Sequence, residues 1–248
     1  MVVVVFVCLA VAVPAFAYVS RDTRKVVIRS GNGPQFGSAA ATCPHGQIAL
    51  FGGFTYGVAG MHRTANNQFT VDGFNLRGGP LTVTSFAYCG YGAVPTKATK
   101  TIAISSAGTV TATCPPGKVV LAGGFAASRH TVLAVTRLQR IGVNRLLVSA
   151  YLRYGISKHG LLTAIAYCGA GPAPQLVSHT QSFSKDGGNV DATCRAGKTL
   201  TFGGVIARAS GYPPLVFSMA AVSQGTWRAR VSTDARVPST LTSLAYCR

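Results

Sequence analysis

The chain has 248 residues, enough for a sizeable core, and carries 23 Lys and Arg against five acids, a formal net charge of +18. All five acids are Asp (Asp22, Asp72, Asp186, Asp191 and Asp234) and Glu is absent, so little is left for chemistry built on paired carboxylates. A composition 48% hydrophobic and only 11% charged excludes a disordered chain, and the basic excess reads either as an anionic partner or as plain solubility.

Residues 1–17, MVVVVFVCLAVAVPAFA, are apolar and uncharged and end in Ala15-Phe16-Ala17. That ending is the small-x-small pattern of a signal-peptidase site, here before Tyr18. The stretch is short for a membrane span, which takes about 20 apolar residues, and no later segment is longer. Cys8 follows Val7 rather than a small residue, so it does not read as a lipidation site. The expectation is a secreted, extracellular protein with a signal peptide over 1–17 and no transmembrane span in the mature chain.

Beyond Ala17 the chain is one unit written three times. ATCPHGQIALFGG starts at Ala41, ATCPPGKVVLAGG at Ala112 and ATCRAGKTLTFGG at Ala192. VTSFAYC, LTAIAYC and LTSLAYC end at Cys89, Cys168 and Cys247. We place the units at 18–95, 96–174 and 175–248, with Gly90–Pro95 and Gly169–Pro174 as Gly/Pro-rich joints.

Each unit opens with a hairpin-like segment, clearest in Thr101–Ser105, Ala107-Gly108 and Thr109–Cys114. Val110, Ala112 and Cys114 fall on one face and Thr109, Thr111 and Thr113 on the other, the period of a half-buried strand. Pro44-His45-Gly46 and Pro115-Pro116-Gly117 read as tight turns, and Arg195-Ala196-Gly197 keeps the glycine without the proline. A β-rich run such as Lys118–Ala122 leads to the pairs Gly52-Gly53, Gly123-Gly124 and Gly203-Gly204, which read as a bulge or close backbone approach. They could also line a sugar site, but no aspartate comes after them in the next strand.

The middle of each unit varies, and its later part predicts a strand over Phe69–Leu76, Leu146–Tyr154 and Trp227–Thr233. The closing strand is apolar on both faces, with Leu162, Ala164, Ala166 and Cys168 on one side and Ile165 and Tyr167 on the other. Tyr88, Tyr167 and Tyr246 therefore read as core residues with a bonded hydroxyl rather than as ligand-stacking groups.

Cys43, Cys89, Cys114, Cys168, Cys194 and Cys247 all belong to the repeat. Pairing within units joins Cys43 to Cys89, Cys114 to Cys168 and Cys194 to Cys247. Pairing between neighbours would join Cys89 to Cys114 and Cys168 to Cys194. We favour the first, because each unit then carries its own staple. No CxxC pair or His spacing favours a metal, so disulfides in an oxidising compartment are expected. Helical periodicity is absent beyond residue 17. The fold class is all-β, three pseudo-symmetric disulfide-stapled repeats arranged like a β-prism, the alternative being three tandem small β-sandwiches.

The Cys-Pro-x-Gly turn, the glycine pair and the terminal hydrophobic-x-Cys strand resemble those of secreted bacterial proteins, chiefly actinobacterial, over nearly all of Val26–Arg248. That resemblance implies export and brings no known activity. More distantly, the threefold β plan and the Cys-Pro-x-Gly turns are similar to vitelline membrane outer layer protein I, a β-prism. The acidic segment before that family's closing strand is missing, as Gly79-Pro80, His159-Gly160 and Ser239-Thr240 occupy the place.

No Gly-x-Ser-x-Gly, phosphate-loop or His-Glu-x-x-His motif occurs, and His45, His62, His130, His159 and His179 do not recur between units. We expect no catalytic residues, metal or cofactor. Arg129, Arg137, Arg140, Arg145, Arg153 and Lys158 crowd the middle of the second unit without an acid among them. In the third, Arg228 and Arg230 share a strand face while Trp227 points to the other. Guanidinium groups match phosphate, sulfate and carboxylate geometry. The scatter fits no specific nucleic-acid motif. The reading is a secreted, non-catalytic binding or envelope protein that contacts an anionic polysaccharide, wall polymer or other extracellular polyanion through these side chains. The alternatives are a hydrolase of wall or polysaccharide, and a structural coat protein.

Overall fold

The structure, a computed structural model, describes residues 18–248 except 77, 130, 154–157, 185–186, 210–213 and 233–237. The signal-peptide segment lies outside the described residues, as do Asp186, Asp234 and His130.

Eighteen strands and no helix make up the described fold. The first six are β1 (Ser20–Ile28), β2 (Gln35–Thr42), β3 (Ile48–Thr55), β4 (Val58–Ala65), β5 (Gln68–Asn75) and β6 (Leu81–Gly90). The next are β7 (Thr96–Ile104), β8 (Ala107–Thr113), β9 (Val119–Ala127), β10 (Leu133–Ile141), β11 (Arg145–Leu152) and β12 (Gly160–Gly169). The last are β13 (Gln175–Phe183), β14 (Gly188–Thr193), β15 (Leu200–Ala209), β16 (Leu215–Ala221), β17 (Thr226–Ser232) and β18 (Ser239–Cys247).

They form three six-stranded sheets. Sheet I runs β1-β6-β3-β16-β17-β14, sheet II β2-β5-β4-β9-β12-β7, and sheet III β13-β18-β15-β10-β11-β8. Every sheet joins the first, sixth and third strands of one set of six to the fourth, fifth and second of another. Three tandem sandwiches would keep each sheet within one unit, so that alternative is corrected. Each set of six gives its inward residues to two sheets, and one continuous core draws on all three sets.

Alternation sets the faces, because side chains on successive strand residues point opposite ways. On β11, Leu146, Val148, Ala150 and Leu152 are buried while Arg145, Leu147, Ser149 and Tyr151 lie on the outer side. Two seam devices recur. The turn after each first cysteine closes with a hydrogen bond from Gln47 N–H to Pro44 O, Lys118 N–H to Pro115 O and Lys198 N–H to Arg195 O. Gly46, Gly117 and Gly197 occupy its third position at φ 79°, 73° and 75°, a conformation L side chains resist. The first position makes no such demand, which explains how Arg195 replaces proline.

The glycine pairs divide their labour. A Cβ on Gly52, Gly123 or Gly203 would strike Phe69, Leu146 or Trp227 at 2.0, 2.7 or 1.9 Å, so the first glycine makes room for a large core side chain. A Cβ on Gly53, Gly124 or Gly204 would meet the carbonyl oxygen of Met219, Met61 or Leu138 at 2.4, 2.4 or 2.2 Å. The second glycine thus lets β3, β9 and β15 approach β16, β4 and β10 across the join between sets. The register shift itself lies upstream, at Leu50, Leu121 and Thr201. The glycines mark close approach and not the bulge.

The disulfides are Cys43–Cys89, Cys114–Cys168 and Cys194–Cys247. Each ties the end of a second strand to the end of the sixth of the same set. Three such bonds befit an oxidising environment. Among the described residues no helix is long and apolar enough to cross a membrane.

Candidate functional site

The basic residues singled out from the sequence separate into three groups. Arg140 and Arg228 have their heads engaged. Arg140 faces inward on β10: its guanidinium lies 4.9 Å from the Tyr246 ring centroid, and Nη2 donates to Pro174 O at 2.5 Å. Burial pulls its pKa below the usual guanidinium range. Arg63 repeats the arrangement on Tyr167, with Nη2 donating to Pro95 O. These arginines fasten the joints between sets, so Arg140 is a structural residue and not an exposed contact. Arg228 on β17 makes a bidentate pair with Asp191, Nε to Oδ1 and Nη2 to Oδ2, both 2.7 Å. The pairing holds the Asp191 carboxyl below the usual carboxylate range. Arg230, two residues on, is exposed opposite Asn189, but on sheet I.

Arg129, Arg153 and Lys158 form the second group, on the joins β9–β10 and β11–β12 at one end of β10 and β11. Arg129 and Lys158 are exposed and Arg153 is half-buried. Arg137 and Arg145 form the third, on the outer face of sheet III. Arg137 pairs across to Ser149 of β11 and Ile206 of β15, and its Nε donates to Gln139 Oε1 at 2.7 Å. Arg145 is exposed at the start of β11.

One further cation joins them. Arg208 of β15 is exposed on the same outer face, two residues beyond Ile206. It borders a groove of about 580 Å³ that also takes in Thr109, Thr136, Ser149, Tyr151 and Pro214. Thr109 and Ser149 sit opposite each other on β8 and β11 with their hydroxyls 2.9 Å apart. Ala107, Gly108, Ala150, Ala207 and Ala209 complete its lining. The hydroxyls and Arg208 give this open groove polar fixtures among small alanine and glycine residues. A second hollow of about 410 Å³ beside β7 and β12 offers only His159 and Ser105 as polar side chains.

Sheet III stands apart in lacking acids. None of its six strands contains an acid, while they hold Arg137, Arg140, Arg145 and Arg208. Asp22 and Asp191 lie on sheet I and Asp72 on sheet II. Those three acids are all engaged: Asp22 accepts from Thr42 N–H, Asp191 from Arg228 and Asp72 from Ser38.

Asp72 has the one arrangement that resembles a reactive cluster among the described residues. Ser38 Oγ donates to its Oδ1 at 2.6 Å and His62 Nδ1 lies 3.7 Å from its Oδ2. Burial lowers the His62 pKa more than the carboxylate raises it. A serine nucleophile needs its hydroxyl bonded to histidine; here the carboxylate takes that bond. Among the described residues no group of His, Cys or acid side chains could hold a metal. No family model matches the chain, and no curated protein matches it.

The sequence reading missed Arg208 and the hydroxyls. Arg208 is more than fifty positions from Arg153 in the chain, and only the β10–β15 join brings it beside Arg137.

Proposed function

We propose that this chain is a secreted, non-catalytic binding protein of the cell envelope or its surroundings, which holds an anionic polymer against the outer face of sheet III. The units 18–95, 96–174 and 175–248 would close around a pseudo-threefold axis as a β-prism, with sheet III as its binding wall. The observation that carries this reading is the absence of acids from all six strands of that sheet, beside Arg137, Arg145 and Arg208 on its outer face. A protein of formal charge +18 attracts polyanions from every side, but an acid-free wall with a groove gives that attraction an address. Arg129, Arg153 and Lys158 at the end of β10 and β11 extend it.

The reading is tested by binding to heparin and teichoic acid across a salt series. Exposed charges are screened within about 8 Å at physiological ionic strength, so affinity should fall steeply as salt rises. Replacing Arg129, Arg145 and Arg153 with Ser should weaken binding more than replacing Arg21, Arg24 and Lys25 of β1. Equal loss from both sets would make the effect diffuse charge without a site. No binding at low salt would favour the structural coat reading.

A further inference from the structure

We propose that the outer face of sheet III receives an acidic glycan of sparse charge, with one carboxylate or sulfate for every one or two sugar units, laid obliquely across β15, β10 and β11 with one end at the groove beside Arg208. This rests on the polyanion reading above.

The spacing of the arginines argues it. Arg137 is level with Ile206, and Arg208 is two residues further along β15 on the same side. With strands about 4.8 Å apart and a rise of about 3.4 Å per residue, their Cα atoms are about 8 Å apart. Arg145 is level with Ile141 on the next strand, four residues along from Arg137. That places it about 14 Å from Arg137 on the side away from Arg208. The three form one oblique line. A nucleic acid duplex carries a charge about every 1.7 Å along its axis, so most of its phosphates would lie unmatched along this line. A polymer whose acids recur at wide intervals leaves few unmatched.

The surface beside the Arg208–Arg137 half of the line fits what stands between two such acids. Thr109, Thr136 and Ser149 bring hydroxyls to the groove, and Tyr151 and Pro214 line it as well. A sugar ring offers the complement, a weakly polar body rimmed with hydroxyls. Among the described residues no second cation lines the groove with Arg208, which fits one acid group per bound unit. Each guanidinium can grip a carboxylate or sulfate through two parallel N–H bonds.

The test is calorimetry of the mature protein at 150 mM salt with three probes. They are a hyaluronan oligosaccharide, polyphosphate carrying the same number of charges, and neutral dextran. Hyaluronan should bind about tenfold or more tightly than polyphosphate, and dextran should give no heat. Arg208→Ser should weaken hyaluronan binding by about tenfold, a loss typical of one charge-assisted bidentate contact, at an unchanged melting temperature. Thr109→Val with Ser149→Ala should weaken hyaluronan and leave polyphosphate unaltered. Tighter binding of polyphosphate, or an Arg208→Ser protein that binds hyaluronan normally, would overturn this inference while leaving polyanion binding in place. Failure of hyaluronan, polyphosphate and heparin alike, even at low salt, would overturn both.

Discussion

Tyr88, Tyr167 and Tyr246 close their strands with both ring and hydroxyl in use. Each is buried, and their oxygens accept from the backbone N–H of Ala221, Arg63 and Arg140, residues of a neighbouring set of six strands. Burial pushes the Tyr167 and Tyr246 hydroxyls up to about 12 and the Tyr88 hydroxyl higher still. A raised folded pKa stabilises fully below the unfolded value near 10 and is lost as pH climbs through the folded one. Stability should therefore sag between pH 10 and 12, by about 2–3 kcal/mol for each tyrosine, in urea melts taken at stepped pH. Tyr246→Phe should cost about 1–3 kcal/mol at pH 7, because it leaves the Arg140 N–H unpaired, and should shrink the alkaline sag. The Asp191–Arg228 pair obeys the opposite sign. Its folded carboxyl pKa is depressed, so its contribution is present above the unfolded value near 3.9 and fades as pH falls through the folded value. Both partners are more than a third exposed, so Arg228→Ser should cost under about 1 kcal/mol at pH 7. The difference from the parent should shrink as melts are taken at pH values stepped down below about 3.9.

At the scale of the strand, the glycine pairs decide whether the sheets can join. Gly203 lies where a methyl group would enter the Trp227 ring, and Gly204 where it would enter the Leu138 carbonyl. Ring and backbone at these seams are buried and hemmed in by the core, so neither can yield cheaply. Gly203→Ala should cost about 3 kcal/mol or more, at or beyond the upper end of overpacking penalties. Gly117→Ala faces open space and loses only through its left-handed backbone, about 1–2 kcal/mol. Chemical denaturation of the two variants would rank them. A Gly203→Ala protein as stable as Gly117→Ala would mean the core around Trp227 is slack. The register shifts at Leu50, Leu121 and Thr201 precede the glycines, so the strand is re-aimed before the close approach and not by it.

Over the whole molecule, disulfides and shared sheets act on different aspects of stability. Each disulfide spans 46 to 54 residues of one set, a loop worth about 4 kcal/mol in the chain-entropy model. The sheets instead tie each set to the other two. Replacing Cys114 and Cys168 together by Ala should lower the melting temperature in a single cooperative transition. A second set that melted alone would contradict the continuous core. Charge is distributed less evenly than the bare total implies, since the three described acids lie on sheets I and II.

The six strands of each set came from the structure, while the sequence by itself determined the β class, the threefold repeat and the buried tyrosines, and favoured the cysteine partners that the structure joins. Those features rest on short-range patterns: alternation, a glycine at the third turn position, and matched spacing in three copies. It read Trp227 on the strand face opposite Arg228 and Arg230, as alternation dictates, and the structure turns the Trp227 face inward. Only the tertiary structure decided which strands lie side by side, because joining β3 to β16, β9 to β4 and β15 to β10 brings together residues with no local signature of contact. For that reason Arg140 and Arg228, alike in sequence to their exposed neighbours, turn out to be committed to Tyr246 and Asp191. The same joins set Arg208 of one set of strands beside Arg137 of another, extending onto β15 and β18 the lack of acids that the linear stretch between Asp72 and Asp186 already displays for β8, β10, β11 and β13.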